Sequence, residues 1–340
     1  MQQLLYTSPG QLEWREAPAP TMDSERSALV RPLAVATCDL DAMIVQGHSP
    51  FPAPFPLGHE CVAEVLDAGE RAGVATPPGT LVSVPFQISC GECASCLRGR
   101  SANCSAVPFM STYGFGPAVD RFGGFLADSV HVPYADHMLV PLPGGLAPAD
   151  VASASDNIAD AWRAVGPPLE REPGAEVLVV GGLGPGSIGL YAAAVAVALG
   201  AARVLYVDTD EGRRERAGAF GCETSGEMVK RLGPFPITVD ACGSAAGIAL
   251  ALRSTAPDGT CTSCAIYFGE QPALPLLEMY TKGVTFVTGR ANAREAMPHV
   301  LALAAAGALH PEHVTSKVVP WAQAPDALLE SGWTKLVFER

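Results

Sequence analysis

Four cysteines fall within fifteen residues, Cys90, Cys93, Cys96 and Cys104, separated by two, two and seven intervening positions. Thiolates so spaced can surround one tetrahedral ion, and soft sulfur donors suit zinc. A site closed by four protein ligands leaves no position for water or substrate, so the ion held there is structural. An iron–sulfur cluster and a disulfide pair are the alternatives. The spacing, and ten cysteines in a chain without a secretion signal, favour zinc in a reducing compartment.

A second pattern, Gly181-Gly182-Leu183-Gly184-Pro185-Gly186-Ser187-Ile188-Gly189, contains G-x-G-x-x-G as Gly184, Gly186 and Gly189. Between a strand and a helix, such a loop lets backbone approach a pyrophosphate at the helix start. Gly182, Ser187 and Ile188 join the three glycines as candidate cofactor contacts, in a turn about two residues longer than the simplest version. Asp208 ends the next strand, nineteen residues after Gly189. A carboxylate there hydrogen-bonds ribose hydroxyls and repels a 2′-phosphate, which favours NAD over NADP; Arg213 and Arg214 pull the other way.

The elements that would position these groups differ between the two halves of the chain. Residues 1–149 read as short β segments broken by Gly and Pro, at 29–35, 60–66, 81–84 and 129–132, which predicts a β-rich, barrel-like domain around a lobe at 88–106. Residues 150–290 alternate: a helix over 150–165 stopped by Gly166-Pro167-Pro168, then strand 177–180, helix 187–199, strand 204–207 and helix 211–220. Further strands are expected at 237–240, 260–267 and 285–288. That order predicts a doubly wound parallel sheet, and hence an α/β protein. Residues 291–340, with a helix at 294–307 and β-like pieces at 314–319 and 335–338, are expected to return to the first domain.

At 340 residues two domains are the natural prior, and 48% hydrophobic with 17% charged residues describes a globular chain. A formal charge of −13 without a local basic cluster argues against nucleic-acid and membrane partners. The N-terminus has no basic region, long apolar stretch or cleavage site, so a cytoplasmic location is expected.

Cys38, in Thr37-Cys38-Asp39-Leu40-Asp41, and His59, in Gly58-His59-Glu60, are thiolate and imidazole donors on separate segments, and Asp156 lies far from both. No spacing rule joins the three, and a lone Cys or His is more often packing than ligand. The chain nevertheless resembles the zinc-containing alcohol dehydrogenases of the medium-chain dehydrogenase/reductase superfamily over essentially its whole length. The stretches that carry the resemblance run in the family's order. They are Cys38 to Asp41, Gly58-His59-Glu60, the four-cysteine lobe, Gly123-Gly124-Phe125, Ser155-Asp156-Asn157-Ile158, and Gly184 to Gly189 with Asp208.

The resemblance implies a GroES-like catalytic domain beside a Rossmann domain. It also implies two zinc ions per chain, NAD as cofactor, a small-molecule substrate and a homodimer or homotetramer. The catalytic zinc would be held by Cys38, His59 and Asp156, with Glu60 as an alternate ligand and Asp41 orienting His59. The aspartate looks like the formaldehyde dehydrogenase branch. Phe86, four before Cys90, resembles a substrate-pocket wall, and Lys335 falls where relatives place a basic residue on the cofactor pyrophosphate. Such a site performs Lewis-acid catalysis of hydride transfer between an alcohol or its carbonyl and nicotinamide.

Two positions depart from the family. Where a hydroxyl residue and often a histidine relay the alcohol proton, this chain has Leu40 and Met43, which transfer no protons. Zinc-bound water, Glu60, Asp39 or His48 are the candidate substitutes. Leu40 joins Phe51 and Phe55, from the Pro-rich run His48 to Pro56, as candidate pocket lining; a pinned surface loop is the alternative for that run.

Cys261-Thr262-Ser263-Cys264 has redox spacing but falls within an apparent strand, and Cys61, Cys222 and Cys242 read as core residues. His131, His137, His299, His310 and His313 are scattered singly and receive no function. Besides an alcohol oxidoreductase, two readings stay open: a reductase of another polarised double bond, and a non-catalytic NAD-binding sensor or interaction protein.

Overall fold

A computed structural model describes residues 1–182, 184–269 and 271–340, so Leu183 of the glycine loop lies outside the described residues. The chain divides into two compact units. One comprises Met1–Ala159, Ala291–Gly307 and Thr315–Arg340, the other Asp160–Arg290 and Ala308–Val314.

The first unit is built on a seven-stranded sheet. Its path runs Lys317–Pro320, Leu336–Glu339, Ala28–Ala36, Glu60–Ala68, Leu81–Val84 and Val140–Pro141, with Val130–Val132 pairing Ala28–Ala36 off that path. A three-stranded sheet, Gln11–Glu16, Gln2–Ser8 and Phe55–Pro56, completes the β structure. The chain's last strand pairs antiparallel with Ala28–Ala36, Val337 opposite Ala36, so the C-terminal segment is a structural part of this unit.

The second unit is a parallel sheet ordered Glu223–Ser225, Val204–Val207, Val177–Val180, Phe235–Asp240, Thr255–Ser263 and Thr285–Thr288. The order reverses between Val177–Val180 and Phe235–Asp240, which is the doubly wound pattern with its ligand crevice at the strands' carboxyl ends. Val177, Leu178, Val179 and Val180 are all buried, as a strand covered on both faces requires. The protein is therefore α/β, with a β-rich domain and a doubly wound parallel-sheet domain.

Three expectations need correction. The helix over 150–165 is in fact a turn of α-helix at Pro148–Val151, a 3-10 turn at Ala152–Ser155, a break at Asp156 (φ −150°, ψ −82°) and a helix over Asn157–Arg171. That helix runs on through Pro167 and Pro168, and Gly166 before them lies tight against Trp162, where a Cβ would fall 2.6 Å from Cε2. The buried apolar face outweighs the hydrogen bonds the prolines forfeit. Second, the strand expected at 260–267 runs Thr255–Ser263, so Cys264 lies just beyond its end. Third, residues 150–159 go with the first unit, since Cys61 N donates to Ser155 Oγ at 2.9 Å and ties that segment to the sheet. No helix among the described residues is long and apolar enough to cross a membrane.

Candidate functional site

Ala36 and Glu60 face each other in the antiparallel pair Ala28–Ala36 and Glu60–Ala68. Cys38, two residues past one strand, and His59, one residue before the other, are thereby brought together. The anchored Ser155 delivers Asp156 to the same place. The donor atoms of Cys38, His59 and Asp156 all lie within 4.8 Å of one another.

Cys38 also caps the helix Asp39–Met43: its Sγ accepts from Leu40 N at 3.2 Å, and Asp41 Oδ2 accepts from Cys38 N at 2.7 Å. The other oxygen of Asp41 lies 3.7 Å from His59 Nδ1, and Asp156 Oδ2 lies 3.5 Å from His59 Nε2. His59 is fully buried, and among the described residues neither ring nitrogen has a hydrogen-bond partner. A buried imidazole with no partner at Nε2, flanked by thiol and carboxylate, fits a zinc ion. Burial pushes the Cys38 thiol up to about 12, with Asp41 and Asp156 adding to the rise and His59 opposing it. Burial works against a charged His59 ring, but Cys38, Asp41 and Asp156 together hold its pKa well above the usual value.

Glu60 and Lys335 are both fully buried, with Lys335 Nζ 2.7 Å from Glu60 Oε2. Lys335 Nζ donates to Asn157 Oδ1 at 2.9 Å, and Asn157 Nδ2 donates to Asp156 Oδ2 at 3.1 Å. A polar chain thus runs from Glu60 to the third ligand. The expectation that Lys335 meets a pyrophosphate is corrected: its ammonium is buried against Glu60 and Asn157. Burial raises Glu60 to about 7, Lys335 opposing and Asp156 adding to the shift.

Aromatic rings line the metal residues. Phe86 lies 6.0 Å from the His59 ring and 5.9 Å from Phe115, which meets His59 edge-on at 4.9 Å and stacks on Phe51 at 5.9 Å. Phe115 was not anticipated. The available signal was its bracket of glycines, Gly114 at φ 71° and Gly116 at φ 94°: a Cβ on Gly114 would collide with the backbone of Gly58, just before His59. Phe55 is corrected from pocket to core: it sits in the small sheet with its ring 5.2 Å from Tyr6. Leu40 is buried beside Cys38, whereas Met43 is half-buried and His48 exposed.

The four-cysteine lobe is compact. Cys93 Sγ lies 3.6 Å from Cys96 Sγ and 3.9 Å from Cys104 Sγ, near the ~3.8 Å edge of a tetrahedron with 2.3 Å zinc–sulfur bonds. All ten cysteines are free, which removes the disulfide alternative. Backbone amides converge on the sulfurs, Cys93 N and Glu92 N on Cys90 Sγ and Cys90 N on Cys104 Sγ, all within 3.4 Å. Hydrogen bonds from the Cys96 and Ser105 backbone lower Cys93 to about 5. The lobe is braced within its unit by Ala102 N donating to Asn292 Oδ1 at 3.1 Å.

In the second unit, Gly184 (φ 73°) and Gly186 (φ 74°) turn the chain into the helix Ser187–Ala198, at whose start Ser187, Ile188 and Gly189 lie. Gly182 answers a different need, since a Cβ there would fall 2.5 Å from Cys242 Sγ. Asp208 is fully buried and its carboxylate is satisfied from within. Arg213 donates from Nε to Oδ2 and from Nη2 to Oδ1, both at 2.8 Å; Tyr206 Oη and Asp210 N supply further donors at 2.8 and 2.9 Å. Arg213 also reaches the carbonyls of Gly184 at 2.8 Å and Gly182 at 2.5 Å. Arg213 thus pairs with the carboxylate expected to meet the ribose hydroxyls.

Residues 24–144 match the alcohol dehydrogenase GroES-like domain family, and residues 187–306 match the zinc-binding dehydrogenase family. The chain is 27% identical over 332 residues to a probable zinc-binding alcohol dehydrogenase of Mycobacterium tuberculosis, covering 95% of this chain and 83% of that one. It is 33% identical over 233 residues to a glutathione-independent formaldehyde dehydrogenase of Pseudomonas aeruginosa, a match to 65% of this chain and 57% of that relative's length. An alcohol dehydrogenase from Thermus sp. ATN1 superposes with a TM-score of 0.86 and 29% identity over 100% of both chains.

Proposed function

Because the chain belongs to the zinc-binding alcohol dehydrogenases of the medium-chain dehydrogenase/reductase superfamily, we propose that it interconverts an alcohol and its carbonyl compound with NAD(H), at a zinc held by Cys38, His59 and Asp156. The observation that carries this reading is the donor triad within 4.8 Å around a buried imidazole with no hydrogen-bond partner among the described residues. Bound zinc would supply Lewis acidity toward the substrate oxygen.

The chain's own residues prepare that site. Asp41 holds the Cys38 amide with one oxygen and faces His59 Nδ1 with the other, fixing thiolate and ring together. Asn157 donates to Asp156, and Lys335 meets both Asn157 and the buried Glu60. Phe51, Phe86 and Phe115 shape an apolar wall that suits an aromatic or branched aliphatic substrate over a charged one. With Leu40 and Met43 in place of relay groups, the substrate proton leaves by another route, and Glu60, raised to about 7, is the buried group able to take it.

NAD(H) is the cofactor of this reading, through the helix start at Ser187 and the glycines before it. We also propose a homodimer through the sheet edge Thr285–Thr288, next to which Leu276, Leu277, Tyr280 and Val287 stand exposed.

Metal analysis joined to a substrate panel tests the function. Two zinc ions per chain and NAD-linked turnover of apolar alcohols or aldehydes are expected, and His59→Ala should keep one zinc and lose turnover. Full zinc content and activity in that variant would refute the assignment. Formaldehyde belongs in the panel because of the similarity to its dehydrogenase.

A further inference from the structure

His310, Pro311, Glu312 and His313 lie on the second unit, around the 3-10 turn Pro311–Val314. His310 Nδ1 is 3.0 Å from Glu312 Oε1, and His313 Nε2 is 3.9 Å from the same oxygen. The two imidazoles are nearly parallel, 22° apart with centroids 5.2 Å from each other. One donor atom from each of the three residues lies within 4.8 Å of the others. Ligands of an ion bound at about 2.0–2.2 Å stand roughly 3–4 Å apart, so the trio closes on an ion with small side-chain rotations.

The backbone holds this arrangement without help from an ion. His313 N donates to His310 O at 3.2 Å, which sets the two rings on one side of the turn. The His313 ring stacks on Phe220 at 6.4 Å and 10°, and its carbonyl accepts from Arg216 Nη1 at 3.1 Å. The three side chains remain between one third and three fifths exposed, so water reaches the remaining coordination positions. An ion pair of Glu312 with His310 alone would need no second imidazole beside the same oxygen.

We propose that His310, Glu312 and His313 form a third metal site, one that takes a divalent transition ion from solution. Two imidazoles and one carboxylate suit zinc, nickel and copper, whereas calcium and magnesium prefer all-oxygen shells. Unlike the two thiolate-containing sites, this one lies open to solvent and exchanges its ion readily. It requires no turnover and is independent of the catalytic reading.

Calorimetric titration of the zinc-loaded protein with further Zn2+, and Cu2+ titration followed by electron paramagnetic resonance, test it. One additional site per chain is expected, with a copper spectrum split by two nitrogens. His310→Ala and His313→Ala should each weaken that binding at least tenfold while leaving the two tightly held zinc ions in place. Unchanged additional binding in the double variant, or none in the natural chain, would overturn the proposal. Displacement of the ion by millimolar Mg2+ would also overturn it, since that marks simple attraction to carboxylates.

Discussion

Lys335 and Glu60 come from opposite ends of the chain, yet their charged atoms meet at 2.7 Å with both side chains inaccessible to solvent. A charge in such a place is tolerated only with its partner. Replacing Lys335 with Met leaves Glu60 unpaired beside Asp156, and a loss of about 3–5 kcal/mol is expected from denaturant unfolding of the zinc-loaded protein. Glu60→Gln combined with Lys335→Met should recover much of that loss. If the double variant is no more stable than Lys335→Met, the two residues do not act as a pair.

Asp41 serves two ligands at once, accepting from the Cys38 amide and facing His59 Nδ1. Asp41→Asn keeps an oxygen for the helix cap but removes the charge beside the ring. Zinc at the Cys38 site should then be held ~10–100-fold less tightly, while the four-cysteine lobe keeps its ion as an internal control. Competition with a chelator, read as zinc released per chain, distinguishes the two sites. Equal release from natural and variant protein would contradict the role given to Asp41.

The lobe was legible in the sequence because its chelate is local: fifteen residues contain every donor. Cys38, His59 and Asp156 were joined only by resemblance, since their meeting depends on the register of Ala36 with Glu60 and on the long-range tie of Ser155 to Cys61. Phe115 was hidden for the same reason, because its approach to His59 follows from Gly114 passing the backbone of Gly58. The alternation of strands and helices from 177 onward gave the parallel sheet. Partner choice within it was not legible, as Arg213 lies five residues after Asp208 and could equally have faced solvent.

That pairing bears on cofactor choice. With Arg213 in place the Asp208 carboxylate is neutralised and repels a 2′-phosphate weakly. Arg213→Ala restores the bare charge, so NADP(H) should lose at least tenfold in affinity relative to NAD(H), about 1.4 kcal/mol. Fluorescence titration with both reduced cofactors reads the ratio. A ratio that stays constant would mean that the pair lies outside the contact with the adenosine ribose.

Acid sensitivity should centre partly on His137, whose Nε2 is buried with no hydrogen-bond partner among the described residues and against whose ring Gly91 packs. Burial, reinforced by Arg294 and Arg26 and opposed by Asp136 and Glu92, lowers its pKa to about 4 from an ordinary value of 6.5. A histidine lowered on folding binds its proton more readily when unfolded. Stability is therefore fully present above pH 6.5, falls as the pH drops through the interval down to about 4, and levels off below it. His137→Gln removes this term. Its melting temperature should fall less between pH 7.5 and pH 5 than that of the natural chain, by about 2–4 °C. Parallel decline of both proteins across that range would show that the ring gains its proton without cost to the fold.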